Sequence, residues 1–207
     1  MLVNEKKLKE AAAKFLKTYP GGFAHPDMVA VGKKHKVEAM TSLTQHNFQK
    51  RCFADPEQIA EGMVQVVSRS SLVSMFEKPK FRDMVRGANA ELKASLAADL
   101  KRMLHGNQER GFQGLVDSLA ARKLGKWSLL TVIPNYFRPD EEVFIKPTTA
   151  KGVISHFELE GLVYRPQPSW EFYTAYREAI LEMRAKVDPS LAPNNAAFCG
   201  FLMMSLA

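Results

Sequence analysis

Apolar residues recur every three or four positions along most of the chain, and that spacing is typical of amphipathic α-helices. It holds from Leu8 to Leu16, from Ile59 to Phe76, from Phe81 to Leu104, from Phe112 to Leu119 and from Phe172 to Val187. Each stripe has to be buried against another helix, because a single helix cannot cover its own apolar face. The pattern therefore predicts a mainly α protein built as a multi-helix bundle.

Several side chains stand where a helix would begin. Asn4, Asp55 and Ser169 precede apolar stripes, and their side-chain oxygens can accept hydrogen bonds from the first free backbone N–H groups. Pro26 and Pro56 suit the first helical position, where the missing N–H is not needed. A further helix is predicted over residues 36–49.

The stretch 127–164 is less regular and contains the best strand candidates. The apolar run Trp127–Ile133 fits a buried strand or a buried helix, and its helical neighbours favour a helix. Glu142–Lys146 is short and rich in β-branched and aromatic residues, and Gly161–Tyr164 is a suitable partner. We therefore predict a small two-stranded β-ribbon within residues 142–164, with a short helix capped by Thr148 or Thr149 between its strands.

The segment from Asn195 to Leu206 is apolar on every side. A helix of this kind is buried, either in the core or against another subunit. Residues 1–207 are predicted to form a single mainly helical domain, of which the basic helices in residues 1–51 are either a part or an appendage. A homodimer joined through the C-terminal helix is a further prediction.

Composition places the chain among globular proteins, since 46% of it is hydrophobic, 25% is charged and it contains 13 Phe. The longest apolar tract, around Phe198–Leu206, is far shorter than the roughly 20 residues of a membrane span. Polar residues follow Met1-Leu2-Val3 at once, so no signal peptide is predicted. The two cysteines, Cys52 and Cys199, are far apart in the sequence, which favours free thiols in a reducing compartment over a disulfide. The prediction is a cytoplasmic, bacterial-type protein.

Positive charge is concentrated in the first quarter of the chain. Residues 1–51 contain ten Lys or Arg and four Asp or Glu, and so carry +6 of the formal net charge of +7. Such an excess predicts an acidic partner, nucleic acid being the commonest. The phosphate contacts would come from Lys33, Lys34, Lys36, Lys50 and Arg51. The alternative is a solubilising surface without a particular partner.

A second candidate site surrounds the predicted ribbon. Lys146, Lys151, Arg165 and Trp170 could line a groove that accepts an anion or another ligand at the N-termini of two helices. The alternative is that Trp170 and the nearby tyrosines attach the ribbon to the helices by packing. The sequence leaves both open.

Sequence motifs for catalysis, metal binding and nucleotide binding are missing. Gly125-Lys126 lacks the earlier glycine and the following hydroxyl of a phosphate-binding loop. The stretch Asp140–Lys146 has Phe144 where a magnesium-dependent nuclease needs an acidic residue, and the five histidines form no pair at helical spacing. The sequence thus predicts a non-enzymatic accessory protein with no catalytic residue, metal or cofactor. An enzyme or small-molecule-binding protein with a pocket near Lys146–Trp170 is the alternative.

The C-terminal part combines Lys146-Pro147-Thr148 after the predicted strand, the turn Pro166–Trp170 and an aromatic helix beyond it. In these features residues 127–206 resemble a C-terminal module of uncharacterised bacterial proteins, some of which resemble restriction or DNA-defence proteins. The resemblance names no catalytic residue, so it assigns none to this chain.

Overall fold

The computed structural model describes residues 3–206, which form a bundle of α-helices. The helices are α1 Glu5–Thr18, α2 Pro26–His35, α3 Val37–Asn47, α4 Pro56–Arg69, α5 Glu77–Arg86, α6 Ala90–His105, α7 Gln108–Ala120, α8 Trp127–Phe137, α9 Pro147–His156, α10 Trp170–Ala185 and α11 Asn195–Met204. Short 3-10 helices cover Gly22–Ala24, Lys50–Ala54 and Pro189–Leu191. The prediction of a mainly α fold is confirmed.

Local capping explains where several of these helices begin. The side chains of Asn4, Asp55 and Ser169 each accept a hydrogen bond from a backbone N–H two or three residues later, at 3.1, 3.0 and 3.3 Å. Pro26 and Pro56 are the first residues of α2 and α4. The predicted helix starts are confirmed at these positions, because each depends on contacts within one turn of the chain.

Two predicted helices are shorter than their apolar stripes suggested. The helix expected from Ile59 to Phe76 ends at residue 69, because Ser70 leaves the helical conformation and its hydroxyl hydrogen-bonds the Tyr136 hydroxyl at 3.1 Å. The stripe from Phe81 to Leu104 is divided between α5 and α6. Asn89 caps the start of α6, since its side chain accepts a hydrogen bond of 3.0 Å from the backbone N–H of Leu92.

The predicted β-ribbon is wrong, since residues 3–206 contain no strand. The backbone of residues 142–146 bonds to helix side chains instead of to a second strand. The Thr131 hydroxyl on α8 accepts from the N–H of Ile145 at 3.0 Å, and the Asn195 amide on α11 donates to the carbonyl of Glu142 at 2.9 Å. The intervening helix α9 begins at Pro147 without a side-chain cap, so neither threonine caps it.

Helix α8 occupies the centre of the bundle. Every residue from Trp127 to Tyr136 is buried, and α3, α4, α6 and α7 all contact this helix. The prediction of a helix over Trp127–Ile133 is therefore confirmed. The helix continues through Pro134, although proline removes one backbone hydrogen bond from its interior.

Helices α6 and α7 form a closely packed antiparallel pair. Their approach depends on Gly111, because a Cβ added there would overlap the backbone of Met103 and Asp99 on α6. A Cβ on Gly114 would meet the Asp99 carboxylate in the same way. The absence of two side chains on α7 therefore fixes the distance between these helices.

The first and last helices are in contact. The rings of Phe15 on α1 and Phe201 on α11 lie edge to face with centroids 5.3 Å apart. The backbone N–H of Asn4 donates to the carbonyl of Phe157, just after α9, at 3.0 Å. The basic N-terminal helix α1 therefore packs on the C-terminal part of the chain.

Helix α11 is buried largely within the chain's own core. Phe198, Phe201 and Leu202 have no exposed surface, whereas Met203 is 45% exposed. This burial accounts for the apolar sequence without a second subunit, and a dimer through α11 stays a prediction. Across residues 3–206, no helix combines the length and the apolar character needed to cross a membrane.

Candidate functional site

The five basic residues predicted to contact phosphates are all exposed, and we call them the basic surface: Lys33, Lys34, Lys36, Lys50 and Arg51. Lys33 and Lys34 lie in the last turn of α2, and Lys36 is the single residue between α2 and α3. Lys50 and Arg51 open the 3-10 helix that follows α3. The basic surface therefore consists of two groups, one at each end of α3, roughly 16 Å apart at about 1.5 Å per residue.

No carboxylate of residues 3–206 forms an ion pair with the basic surface. Carboxylates elsewhere on the molecule are often paired, as Glu61 is with Arg86 at 2.7 Å and Glu57 with Lys93 at 2.8 Å. The five cations thus differ from Arg86 and Lys93, whose charge is compensated by a paired carboxylate. Uncompensated cations on one surface attract a polyanion.

The exposed side of α3 connects the two groups. It carries Ala39, Ser42 and His46, which are spaced by three and four residues and are all exposed, while Met40 and Thr44 face the core. Glu38 and Gln45 are exposed on α3 as well, so the surface between the two groups carries one carboxylate besides these small or planar side chains. The geometry suits a strand that contacts both ends of α3.

Lys36 has an unusual backbone conformation. Its φ of 52° and ψ of 37° are left-handed, which costs a residue with a Cβ about 1–2 kcal/mol. The conformation turns the chain from α2 into α3 with a single connecting residue. A lysine therefore stands where glycine would fit more easily.

The second predicted group, Lys146, Lys151, Arg165 and Trp170, is spread along the surface near α9 and α10. The Lys151 ammonium lies 5.1 Å from the ring centroid of Tyr164, while Lys146 is exposed just before α9. Arg165 is exposed, and its carbonyl accepts the indole N–H of Trp127 at 2.8 Å. Among residues 3–206 no hydrogen bond or ring contact joins these four side chains to one another.

Trp170 belongs to an aromatic cluster. Its ring lies 5.6 Å from Phe112 and 5.8 Å from Tyr173, and the Arg177 guanidinium stands 5.8 Å from its centroid. Packing between α7 and α10 is thus a sufficient role for Trp170. The anion-binding role of the second group stays a prediction.

A buried polar cluster that sequence reasoning missed lies beneath Trp170. The Glu142 carboxylate accepts hydrogen bonds from Gln108 at 2.5 Å, from the Tyr173 hydroxyl at 2.5 Å and from Arg177 at 2.8 Å. Arg177 also donates to the Gln108 side-chain oxygen at 3.0 Å. We call Gln108, Glu142, Tyr173 and Arg177 the Glu142 cluster.

Electrostatics in the Glu142 cluster favour a fixed pattern of protonation. Burial, together with the Glu142 carboxylate beside it, raises the pKa of Tyr173 well above its ordinary value. Burial lowers the pKa of Arg177, but attraction and hydrogen bonding to Glu142 outweigh that effect and raise it. The phenol therefore keeps the proton that it donates, and the guanidinium keeps its charge.

The Glu142 cluster joins α7, α10 and the segment after α8. Both carboxylate oxygens of Glu142 have partners, and only 3% of its side chain is exposed. A substrate would have to displace these partners to reach the carboxylate, so the arrangement suits positioning of the helices better than proton transfer. Its members are up to 69 residues apart in the chain, which is why no local motif indicated them.

A shallow groove of about 480 Å³ runs along α10 beside this cluster. Thr174, Arg177, Glu178, Leu181 and Glu182 line it, all from one helix. Lys146, Arg165 and Tyr173 do not line it. The groove therefore differs from the pocket proposed near Lys146–Trp170.

The cysteines and histidines do not assemble into a reactive site. Cys199 is half-buried, and desolvation raises the pKa of its thiol to about 12, so the thiol stays protonated near neutral pH and is a poor nucleophile. Within residues 3–206, no three His, Cys, Asp or Glu side chains are gathered so that they could hold a metal ion.

No family model, curated protein or solved structure matches the chain. The resemblance of residues 127–206 to a bacterial module therefore stays a prediction.

Proposed function

We propose that the protein is a non-enzymatic accessory protein that binds nucleic acid through the basic surface. The observation that carries the proposal is the placement of five exposed cations at the two ends of α3, without an ion-paired carboxylate among residues 3–206. Phosphates suit such cations, because Lys and Arg release the counterions condensed on a nucleic acid and gain affinity from that release.

The separation of the two groups supports a partner with regularly spaced charges. About 16 Å along α3 corresponds to four or five nucleotides at roughly 3.4 Å of rise per nucleotide in one stacked strand. The exposed face of Ala39, Ser42 and His46 lies between these contacts. A strand held at both ends would pass over this face.

Binding should depend strongly on salt. Five phosphate contacts correspond to a slope of about −3.5 to −4.5 when the logarithm of the association constant is plotted against that of salt concentration. Fluorescence anisotropy with labelled single-stranded and double-stranded DNA and RNA at two or more salt concentrations measures this slope. We expect the double variant Lys33→Glu/Lys34→Glu to bind more weakly and to show a shallower slope.

Two exposed lysines between α7 and α8 provide a matched control. Lys123→Glu/Lys126→Glu changes the net charge by the same amount, and both residues are exposed. We expect this variant to keep most of the affinity. Absence of binding at low salt would refute the proposal, and equal losses in both variants would show that net charge acts without a defined interface.

A further inference from the structure

The turn between α4 and α5 exposes two large apolar side chains. Met75 is 82% exposed and Phe76 is 83% exposed, more than any other large hydrophobic residue among residues 3–206. Exposing a Phe ring to water forgoes roughly 1.5–3 kcal/mol that its burial would provide. A neighbouring pair at one tip is therefore a candidate contact surface.

The turn is ordered on both sides of the exposed pair. The Ser74 hydroxyl accepts the backbone N–H of Phe76 at 3.2 Å, and the Ser74 carbonyl accepts that of Glu77 at 3.0 Å. Val73 is buried, and the Glu77 carboxylate accepts a hydrogen bond of 2.7 Å from the Ser128 hydroxyl on α8. The core thus holds the tip in place, so binding would cost little ordering entropy.

Positive charge flanks the tip in sequence and in space. Lys80 is exposed on α5, close after Phe76, whereas the nearby Arg82 is paired with Asp83 at 2.8 Å. On the other side, His35 at the end of α2 hydrogen-bonds the Ser71 hydroxyl at 2.8 Å. This contact brings the Lys33–Lys36 end of the basic surface next to the segment that carries the tip.

We propose that Phe76 stacks on an unpaired base of a single-stranded nucleic acid whose phosphates contact the Lys33–Lys36 end of the basic surface. This inference rests on the proposed function and adds the class of partner. One aromatic ring beside cations is the unit by which single strands are bound, because every base offers a flat face and every nucleotide a phosphate. A membrane surface fits less well, because binding to it scales with the buried apolar area and the tip offers only two apolar side chains.

The test compares Phe76→Ala and Phe76→Trp with the unchanged protein, using a labelled single-stranded oligonucleotide and a duplex of the same length. Phe76→Ala should weaken single-strand binding about 5- to 150-fold, the range for loss of one stacked base, without changing the salt slope. Phe76→Trp should keep the affinity, and the fluorescence of the added indole should be quenched by the oligonucleotide. Duplex binding should change little in either variant.

Val163→Ala is the control, because Val163 is 71% exposed on a different segment. Equal single-strand affinity of Phe76→Ala and the unchanged protein would overturn the stacking inference while leaving the proposed function intact. Loss of binding to phosphatidylserine vesicles in Phe76→Ala, with oligonucleotide binding kept, would also overturn it and identify a lipid surface. Failure of the unchanged protein to bind any oligonucleotide would refute the proposed function itself.

Discussion

At the scale of single residues, charged side chains occupy three left-handed positions: Lys36, Lys123 and Glu158 have φ values of 52°, 59° and 53°. At Glu158 the side chain makes compensating contacts with α1 and its cap, since the carboxylate accepts hydrogen bonds from Lys7 and Asn4 at 2.7 Å. For Lys36 no side-chain hydrogen bond or ion pair is formed within residues 3–206. Lys123 likewise forms no side-chain hydrogen bond or ion pair within residues 3–206, so what distinguishes Lys36 from it is its place on the basic surface and not its backbone conformation.

Lys36→Gly should therefore change stability and binding in opposite directions. Relief of the left-handed strain should raise the free energy of unfolding by up to about 1 kcal/mol. Loss of one phosphate contact should reduce the salt slope of binding by about 1. Urea unfolding and anisotropy titrations measure the two effects. Lys123→Gly is the control: it should stabilise similarly and leave binding unchanged, and a loss of stability in both variants would contradict the strain argument.

The raised pKa of the Cys199 thiol predicts that the protein loses stability at alkaline pH. Burial raises the pKa of its thiol from 9.0 to about 12, so the unfolded chain ionises at lower pH than the folded one. Stability is therefore fully present below pH 9.0 and decreases as pH rises toward 12, by up to about 1.4 kcal/mol per pH unit. Urea unfolding at roughly pH 8 and pH 10 should show this decrease, and Cys199→Ala should show a smaller one. An unchanged pH dependence in the variant would assign the effect to other groups.

At the scale of elements, local signals were sufficient where a helix start depends on one turn of sequence. Asn4, Asp55 and Ser169 were predictable caps because their partners lie two or three residues away. The ribbon prediction failed because the backbone of residues 142–146 is bonded by Thr131 and Asn195, which are distant in sequence. Strand-like composition does not reveal such partners, since it describes side-chain preference and not what lies beside the backbone.

Two glycines should respond in opposite ways to the same substitution. Gly111→Ala should destabilise the protein by about 1–3 kcal/mol or more, because the new methyl group overlaps the backbone of α6. Gly32→Ala should stabilise it by about 0.5–1 kcal/mol, because Gly32 lies inside α2 and nothing approaches its Cβ position within 4 Å. Thermal or urea unfolding measures both changes. Similar effects of the two substitutions would show that α6 and α7 can move apart without cost.

At the scale of the whole molecule, the Glu142 cluster links residues that no sequence window contains. The basic surface was predictable because its members lie within 19 positions of one another. Glu142 depends on Gln108, Tyr173 and Arg177, which come together only after α7 and α10 have packed. Sequence alone could therefore suggest the candidate interface, whereas the buried ion pair required the tertiary structure.

Removing one partner of the buried Glu142–Arg177 ion pair should lower the stability of the protein considerably. Arg177→Met leaves a buried carboxylate without its cation and should lower the free energy of unfolding by about 3 kcal/mol, the low end of the usual range because Arg177 is 21% exposed. Adding Glu142→Gln should recover part of the loss. Arg86→Met is the control, since its pair with Glu61 is exposed to water and should contribute much less. Additive effects of Arg177→Met and Glu142→Gln would contradict a coupled cluster.

The central position of α8 also determines how the molecule opens. Every residue from Trp127 to Tyr136 is covered by neighbouring helices, so no partial opening at the surface brings water to its backbone. Its amide protons should exchange with solvent only when the entire bundle unfolds, and a protease should cut there only in that same state. The exchange rate of α8 is therefore a direct measure of global stability, against which the local opening of every outer helix can be compared.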